Sequence, residues 1–272
     1  MEVRILGSGS PRPTVQRCQP SVIIRSQGAA LLVDCGAETV RQLQQYGIPL
    51  ESVDCLLVTH LHSDHTLGYG ALWLGGWAWG RSRWTVVGPV GVERFHGDWQ
   101  RMYADDVAYR LGLGRPAAGL TEQLAFWELE GSGYLEVGPW RVDYLPVPHG
   151  IPAFAYRITG PDGHVVVVSG DTAYYPPLGD WSRDCDLLIH EAALAVPRAP
   201  NVQWERLAAY LRPYHATPGE AAEIATRAGA AHLVLTHWLP EADPDQARAD
   251  ASSIFPGPVS VAEDGWTWAI GL

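Results

Sequence analysis

The sequence contains no lysine: its 19 basic residues are all arginine, set against 30 acidic ones, for a net charge of −11. Nucleic-acid affinity rests largely on neutralising phosphates, so this balance argues against nucleic acid as a partner and favours small substrates over tRNA. Also lacking is any run of about 18 apolar residues able to cross a bilayer. The N-terminus, MEVRILGSGS, enters an apolar strand with no basic region ahead of it, unlike a signal peptide. A cytoplasmic protein with no membrane partner is expected. The four cysteines (Cys18, Cys35, Cys55, Cys185) form no CxxC pair, which excludes a zinc finger or dithiol redox motif and leaves buried free thiols. With 47% hydrophobic and 18% charged residues the chain has the composition of a globular protein, and no linker divides it. One domain over 1–272 is expected.

What is present is a series of short apolar runs bounded by Gly, Ser and Pro. Glu2–Leu6, Val22–Arg25, Ala30–Asp34 and Cys55–Thr59 read as strands, as do Trp140–Val147, Ala153–Ile158, Val165–Ser169, Asp186–His190 and His232–Thr236. Helical spacing marks Ala37–Tyr46, where Val40, Leu43 and Tyr46 recur and Gly47 followed by Ile48-Pro49 stops the run. Further helices are predicted from His65 to about Trp79 and over Val92–Arg110, Trp204–Leu211 and Pro218–Ala228. This order predicts an α/β fold of two sheets with helices outside, built as two similar halves, and a Trp-rich lid segment within 69–127.

The segment VTHLHSDHTLG (58–68) follows an apolar strand and carries four metal-competent side chains in six positions: His60, His62, Asp64 and His65. A lone histidine at a strand end is ordinarily a packing residue. Four together indicate a metal site, since imidazole and carboxylate suit zinc and a hydrolytic site must gather several of them while leaving room for water. Partners should also lie where strands end, because only there can side chains from different strands converge. His149, Asp171 and His237 do, each just after an apolar run. The set favours two metals.

Seven motifs in order, VDCG (33–36), THLHSDH (59–65), VPHG (147–150), SGDT (169–172), LLIHEA (187–192), HAT (215–217) and LTHW (235–238), resemble the metallo-β-lactamase fold hydrolases. The resemblance implies an αββα four-layer sandwich with the metal site at one edge, two zinc ions (manganese or iron being alternatives), and a homodimer. It implies that one zinc takes His60, His62 and His149, the other Asp64, His65 and His237, with Asp171 bridging. The absence of cysteine at position 171 separates the chain from true β-lactamases. Within the superfamily it looks like the ribonuclease Z and arylsulfatase-like (phosphodiesterase-like) branch. There Glu191 would orient His215 to donate a proton to the leaving oxygen, while Asp64 would orient the attacking hydroxide. His190 reads as a strand-ending residue with a local hydrogen bond.

The stretch 61–91 resembles the arylsulfatase-type members. Only 22 positions separate His149 from Asp171, where the nuclease carries a long basic arm. The expected activity is therefore a dinuclear zinc hydrolase of small phosphodiesters or aryl sulfates, promiscuous toward phosphotriesters, acting through a metal-bridging hydroxide. The alternative is a tRNA 3′-end endonuclease, followed by a lactonase or thioesterase and a non-catalytic metal-binding protein. Trp73 and Trp77, at i and i+4, read as core, whereas Trp79 and Trp84 flank Gly80-Arg81 and are candidates for an aromatic wall of the substrate pocket. GSGSPRP (7–13) lacks the P-loop lysine and reads as a tight turn near the site. His96, His164 and His232 have no partner spacing and are assigned packing or surface roles.

Overall fold

The computed structural model describes residues 1–270. The first half comprises β1 (Glu2–Gly7), β2 (Ser21–Ser26), β3 (Ala29–Val33), α1 (Thr39–Gln45), β4 (Val53–Leu57), α2 (Ser63–Thr66) and α3 (Tyr69–Ala78). It continues with β5 (Trp84–Pro89), α4 (Val92–Met102), α5 (Ala104–Gly112) and β6 (Leu124–Leu129). The second half comprises β7 (Gly133–Val137), β8 (Trp140–Val147), β9 (Ala153–Thr159), β10 (Val165–Val168), α6 (Pro176–Trp181) and β11 (Leu187–Glu191). Then come α7 (Val202–Leu211), α8 (Pro218–Ala228), β12 (Leu233–Thr236), α9 (Pro244–Ser252), β13 (Val259–Val261) and β14 (Thr267–Ala269).

Among the described residues these form two seven-stranded sheets, ordered β14-β1-β2-β3-β4-β5-β6 and β13-β12-β11-β10-β9-β8-β7. Each is antiparallel at one side and parallel at the other: β3 to β6 run parallel in the first, β10 to β13 in the second. The last strand, β14, crosses back to pair with β1 and ties the end of the chain to the first sheet.

Strand residues alternate between two apolar environments, as a period of two requires. Val22, Ile24, Leu31 and Val33 face Phe154, Tyr156, Val166 and Val168 between the sheets. Ile23 and Leu32 point outward under Tyr69, Trp73, Trp77 and Trp84, while Val167 and Leu188 point outward under Ala221, Ala222 and Ala225 of α8. Burial on both faces is why these strands read as unbroken apolar runs. The result is the expected four-layer sandwich.

Several local expectations are corrected. The predicted helix from His65 to Trp79 is two helices, because the Gly68 amide donates to Cys35 O rather than continuing the turn. Val92–Arg110 is also two helices, interrupted at Tyr103. The segment 69–127 is largely built into the first half: β5 and β6 pair along their full length at the sheet edge and α4 packs on both. Trp84 lies in β5, not in a loop, with 1% of its surface exposed and the Arg81 guanidinium 4.3 Å from its ring centroid. It belongs to the core and cannot line a substrate pocket. Trp79 is 65% exposed, but it caps the far end of α3. That ten-residue helix is about 15 Å long and runs on from the histidine cluster, so the two tryptophans form no common wall.

Candidate metal centre and active site

Strand order explains the convergence. β3, β4, β8, β10, β11 and β12 all finish at one edge of the sandwich, and within three residues of each end lies a side chain of interest: Asp34, His60, His149, Asp171, Glu191 (closing β11 itself) and His237. His62, Asp64 and His65 follow on the short helix α2 and its approach. Its position depends on close backbone contact: Cys35 N donates to His65 O at 2.8 Å, and Gly68 N to Cys35 O at 2.9 Å. A Cβ at Gly68 would lie 2.2 Å from Gly36 O, so only glycine allows this approach.

All seven predicted ligands come together. One group is His60, His62, His149 and Asp171; a second is Asp64, His65 and His237; within each, one ligand atom per residue lies within 4.8 Å of the others. Asp171 reaches both, with carboxylate oxygens 3.7 Å from His60 Nε2, 3.4 Å from His65 Nε2 and 3.2 Å from His237 Nε2. Asp64 Oδ2 lies 3.5 Å from His65 Nε2 and 3.4 Å from His237 Nε2. Three of these buried atoms, Asp64 Oδ2, His65 Nε2 and His237 Nε2, have no hydrogen-bond partner among the described residues. Buried polar atoms that face one another unsatisfied are costly unless something charged lies between them, and this donor set fits a pair of divalent cations.

A supporting layer fixes which ring nitrogen faces the centre. Asp34 Oδ2 accepts from His65 Nδ1 at 2.8 Å and from Thr59 Oγ1 at 2.8 Å, while Asp34 Oδ1 accepts from Thr59 N at 2.8 Å. Because the Thr59 hydroxyl donates to Asp34, it can only accept from His60 Nδ1, 3.0 Å away. His149 Nδ1 donates to Tyr214 O at 3.0 Å. In all three histidines Nε2 is thereby turned toward the centre, where His60 Nε2 and His149 Nε2 lie 3.0 and 3.2 Å from His62 Nδ1, the usual orientation of a metal-ligating imidazole. Asp34 and Thr59 were visible in the sequence within VDCG and THLHSDH, yet nothing there assigned either a role; their partners His65 and His60 are 31 and one residue away with no spacing rule to connect them.

The charges divide unevenly. Burial lowers the pKa of His60 and His62, and neighbouring histidines push them down further. Burial works the same way on His65 and His237, but carboxylates outweigh it and raise both, Asp171, Asp34 and Asp64 acting on His65 and Asp171 and Asp64 on His237. Asp171 is held well below the carboxylate range despite burial, by His237 and His65.

Beside this cluster stands a second unit. Glu191 Oε1 accepts from His215 Nδ1 at 2.9 Å and from Thr172 N at 3.0 Å, and Oε2 accepts from Ala193 N at 2.9 Å. Burial disfavours the charged His215 ring, but the adjacent Glu191 carboxylate prevails and lifts it to about 9. His215 also lies within 4.8 Å of Asp171 and His237, so its free Nε2 borders the same space. His190 behaves as expected, closing its strand with a bond from Nδ1 to Glu191 O at 2.7 Å. His96 is buried against Tyr69 Oη at 2.9 Å, and His232 bonds Ser260 at 2.8 Å.

A profile of the beta-lactamase superfamily domain matches residues 30–238, which span the ligand set. The chain belongs to the metallo-β-lactamase fold hydrolases. Among curated members of this superfamily it is 32% identical to ribonuclease Z of Mycobacterium sp. (strain KMS) over 283 aligned positions, covering 97% of this chain and 94% of that one. Ribonuclease Z of Mycobacterium bovis (strain BCG / Pasteur 1173P2) is 30% identical over 280 positions, with 97% and 96% covered. The metallo-β-lactamase fold protein YhfI of Bacillus subtilis superposes with a TM-score of 0.78 at 25% identity over 98% of this chain and 99% of that chain. Human tRNase Z, short form, superposes with a TM-score of 0.73 at 23% identity, with 100% of each chain covered, a likeness of fold. The expectation that nucleic acid is an unlikely partner runs against the names of these curated relatives.

Proposed function

We propose that this metallo-β-lactamase fold hydrolase is a metal-dependent phosphodiesterase of the ribonuclease Z kind, cleaving precursor tRNA on the 3′ side and leaving a 3′-hydroxyl. The observation that carries this reading is the buried Glu191–His215 pair bordering the ligand cluster. A phenolate or nitrophenolate departs without a proton, so aryl esters have no use for such a pair. A ribose 3′-oxygen leaves as an alkoxide and needs one. The names of the curated relatives agree with this choice.

In this reading His60, His62, His149 and Asp171 would hold one divalent ion, zinc by donor type, and Asp64, His65 and His237 would hold the other, with Asp171 within reach of both groups. Bound ions would lower the pKa of a water between them and offset charge growing on the phosphoryl oxygens. Asp171 sets the separation of the two pockets, and Asp64 accepts a hydrogen bond from the attacking water. His215 Nε2 delivers a proton to the departing oxygen while Glu191 holds the ring in place and stabilises its charged form. Cations bound beside His215 would lower its pKa from about 9 and so make the proton easier to release.

A small-phosphodiester activity is favoured by the net charge of −11 and the missing lysines. Purified protein assayed on a precursor tRNA, bis(p-nitrophenyl) phosphate and p-nitrophenyl sulfate, with and without chelator, separates the two. Chelator-sensitive cleavage of the precursor to a 3′-hydroxyl product is expected. Turnover confined to the small aryl esters would overturn the reading.

A further inference from the structure

Helix α7 is held loosely against the body of the protein, since each of its residues is half-buried or exposed. Trp204, Leu207, Ala208 and Leu211, spaced i, i+3, i+4 and i+7, make the half-buried side. The outer side carries Val202, Arg206 and Tyr210 at i, i+4 and i+8, with Val202 61% and Tyr210 72% exposed. Arg198 pairs with Asp243 and Arg212 with Glu220, whereas Arg206 is exposed and has no ion-pair partner among the described residues.

This stripe points along the chain into the catalytic cluster. Tyr214 comes next, partly exposed, its carbonyl accepting from His149 Nδ1 and its ring edge-on to His149 with centroids 6.3 Å apart. His215 follows it directly.

Resting on the RNA phosphodiesterase reading, we propose that the outer side of α7 is a track for the single-stranded RNA adjoining the scissile bond. Tyr210 and Tyr214 stack on bases, and Arg206 pairs with a phosphate. Exposed rings accept any base because every base has a π-face, and a guanidinium free of carboxylates is the residue type for phosphate. With one aliphatic residue among its polar and aromatic ones, the stripe fits nucleic acid better than an apolar protein partner. It also reconciles RNA with an acidic, lysine-free chain: a grip made by stacking and one or two arginines needs no basic surface. Binding should therefore be only mildly salt-dependent, with a slope of log affinity against log salt of about −0.7 per neutralised phosphate.

The test is fluorescence anisotropy of a labelled oligouridylate, which has no tRNA stem to process, on the full-length, metal-loaded protein. Tyr210→Ala and Arg206→Ala are each expected to weaken binding roughly ten-fold. Arg83→Ala, which removes the same charge from a remote exposed site beside Asp54, should leave it unchanged. No binding by the unaltered protein, no loss in Tyr210→Ala, or an equal loss in Arg83→Ala would each overturn the proposal. Failure of the track and failure of the parent reading look different. Precursor tRNA cleaved by a protein whose α7 variants bind oligouridylate normally removes the track alone, whereas α7-dependent binding without precursor cleavage removes the assigned activity alone.

Discussion

Asp34 Oδ2 stands 2.8 Å from His65 Nδ1, on the side of the ring away from the ligand cluster. Asp34 is in the left-handed region at φ 59°, which asparagine tolerates, so Asp34→Asn removes charge without disturbing the backbone. A neutral amide is a weaker partner for the ring and for Thr59. Zinc affinity, measured by competition with a chromophoric chelator, should fall about 10- to 100-fold. Unchanged affinity would reduce the contact to packing.

With His215 as the proposed proton donor, cleavage of an RNA phosphodiester should decline as pH rises through its pKa, which the protein's own charges place at about 9 and bound cations would lower. In His215→Ala the alkaline decline should vanish and kcat/KM on RNA drop by about 10²–10⁴-fold. Bis(p-nitrophenyl) phosphate, with a leaving group that needs no proton, should lose far less. Equal losses on both substrates would remove the proton-donor role.

The chelated protein should lose stability with rising pH. His65, His215 and His237 have folded pKa values raised above 6.5, so their stabilisation is complete below the unfolded value and disappears as pH passes through the folded ones. Zinc competes with those protons, and its stabilising effect should grow over the same range. Melting curves at pH 6.5 and 8.5, with zinc and with chelator, should diverge toward the higher pH. Parallel curves would show that the histidines are not protonated in the chelated fold.

Gly68→Ala should be disproportionately harmful for a one-carbon change, because the new atom meets backbone oxygen at 2.2 Å. About 1–3 kcal/mol of stability is expected to be lost, with weakened zinc binding because α2 carries Asp64 and His65. A melting temperature equal to the parent's would mean the α2 segment moves aside freely.

Trp84→Ala and Trp79→Ala should behave oppositely. The first empties a fully buried site and is expected to cost about 3–5 kcal/mol. The second, at an exposed helix end, should stay within about 0.5 kcal/mol. Neither should reorder substrate preference. A changed preference in Trp84→Ala would restore the aromatic-wall idea.

These two tryptophans also show where the sequence became hard to read. The ligands were legible because each follows an apolar run, and a run of that kind ending in His or Asp announces both a strand and the edge at which it stops. Trp84 was misplaced because Gly80-Arg81-Ser82-Arg83 has the composition of a loop, and the strand it opens, WTVVGP, ends in Gly-Pro as loops do. β6 was missed altogether: LAFWEL is as apolar as the inner strands, but no Gly or Pro directly adjoins it, and at the sheet edge it buries fully only its last residue. Asp34 and Thr59 were recognised as part of motifs but not as supports. Their work lies in contacts behind the ligands, and that geometry leaves no trace in spacing.

His60, His62, Asp64 and His65 come from one half of the sandwich, while His149, Asp171 and His237 come from the other. Neither half owns a complete pocket. Each ion that binds would be a rivet through a seam, and its affinity a gauge of how accurately the two sheets are seated on one another. A mutation deep between the sheets, far from any reacting atom, could then announce itself first as a loss of metal, and only later as a loss of fold.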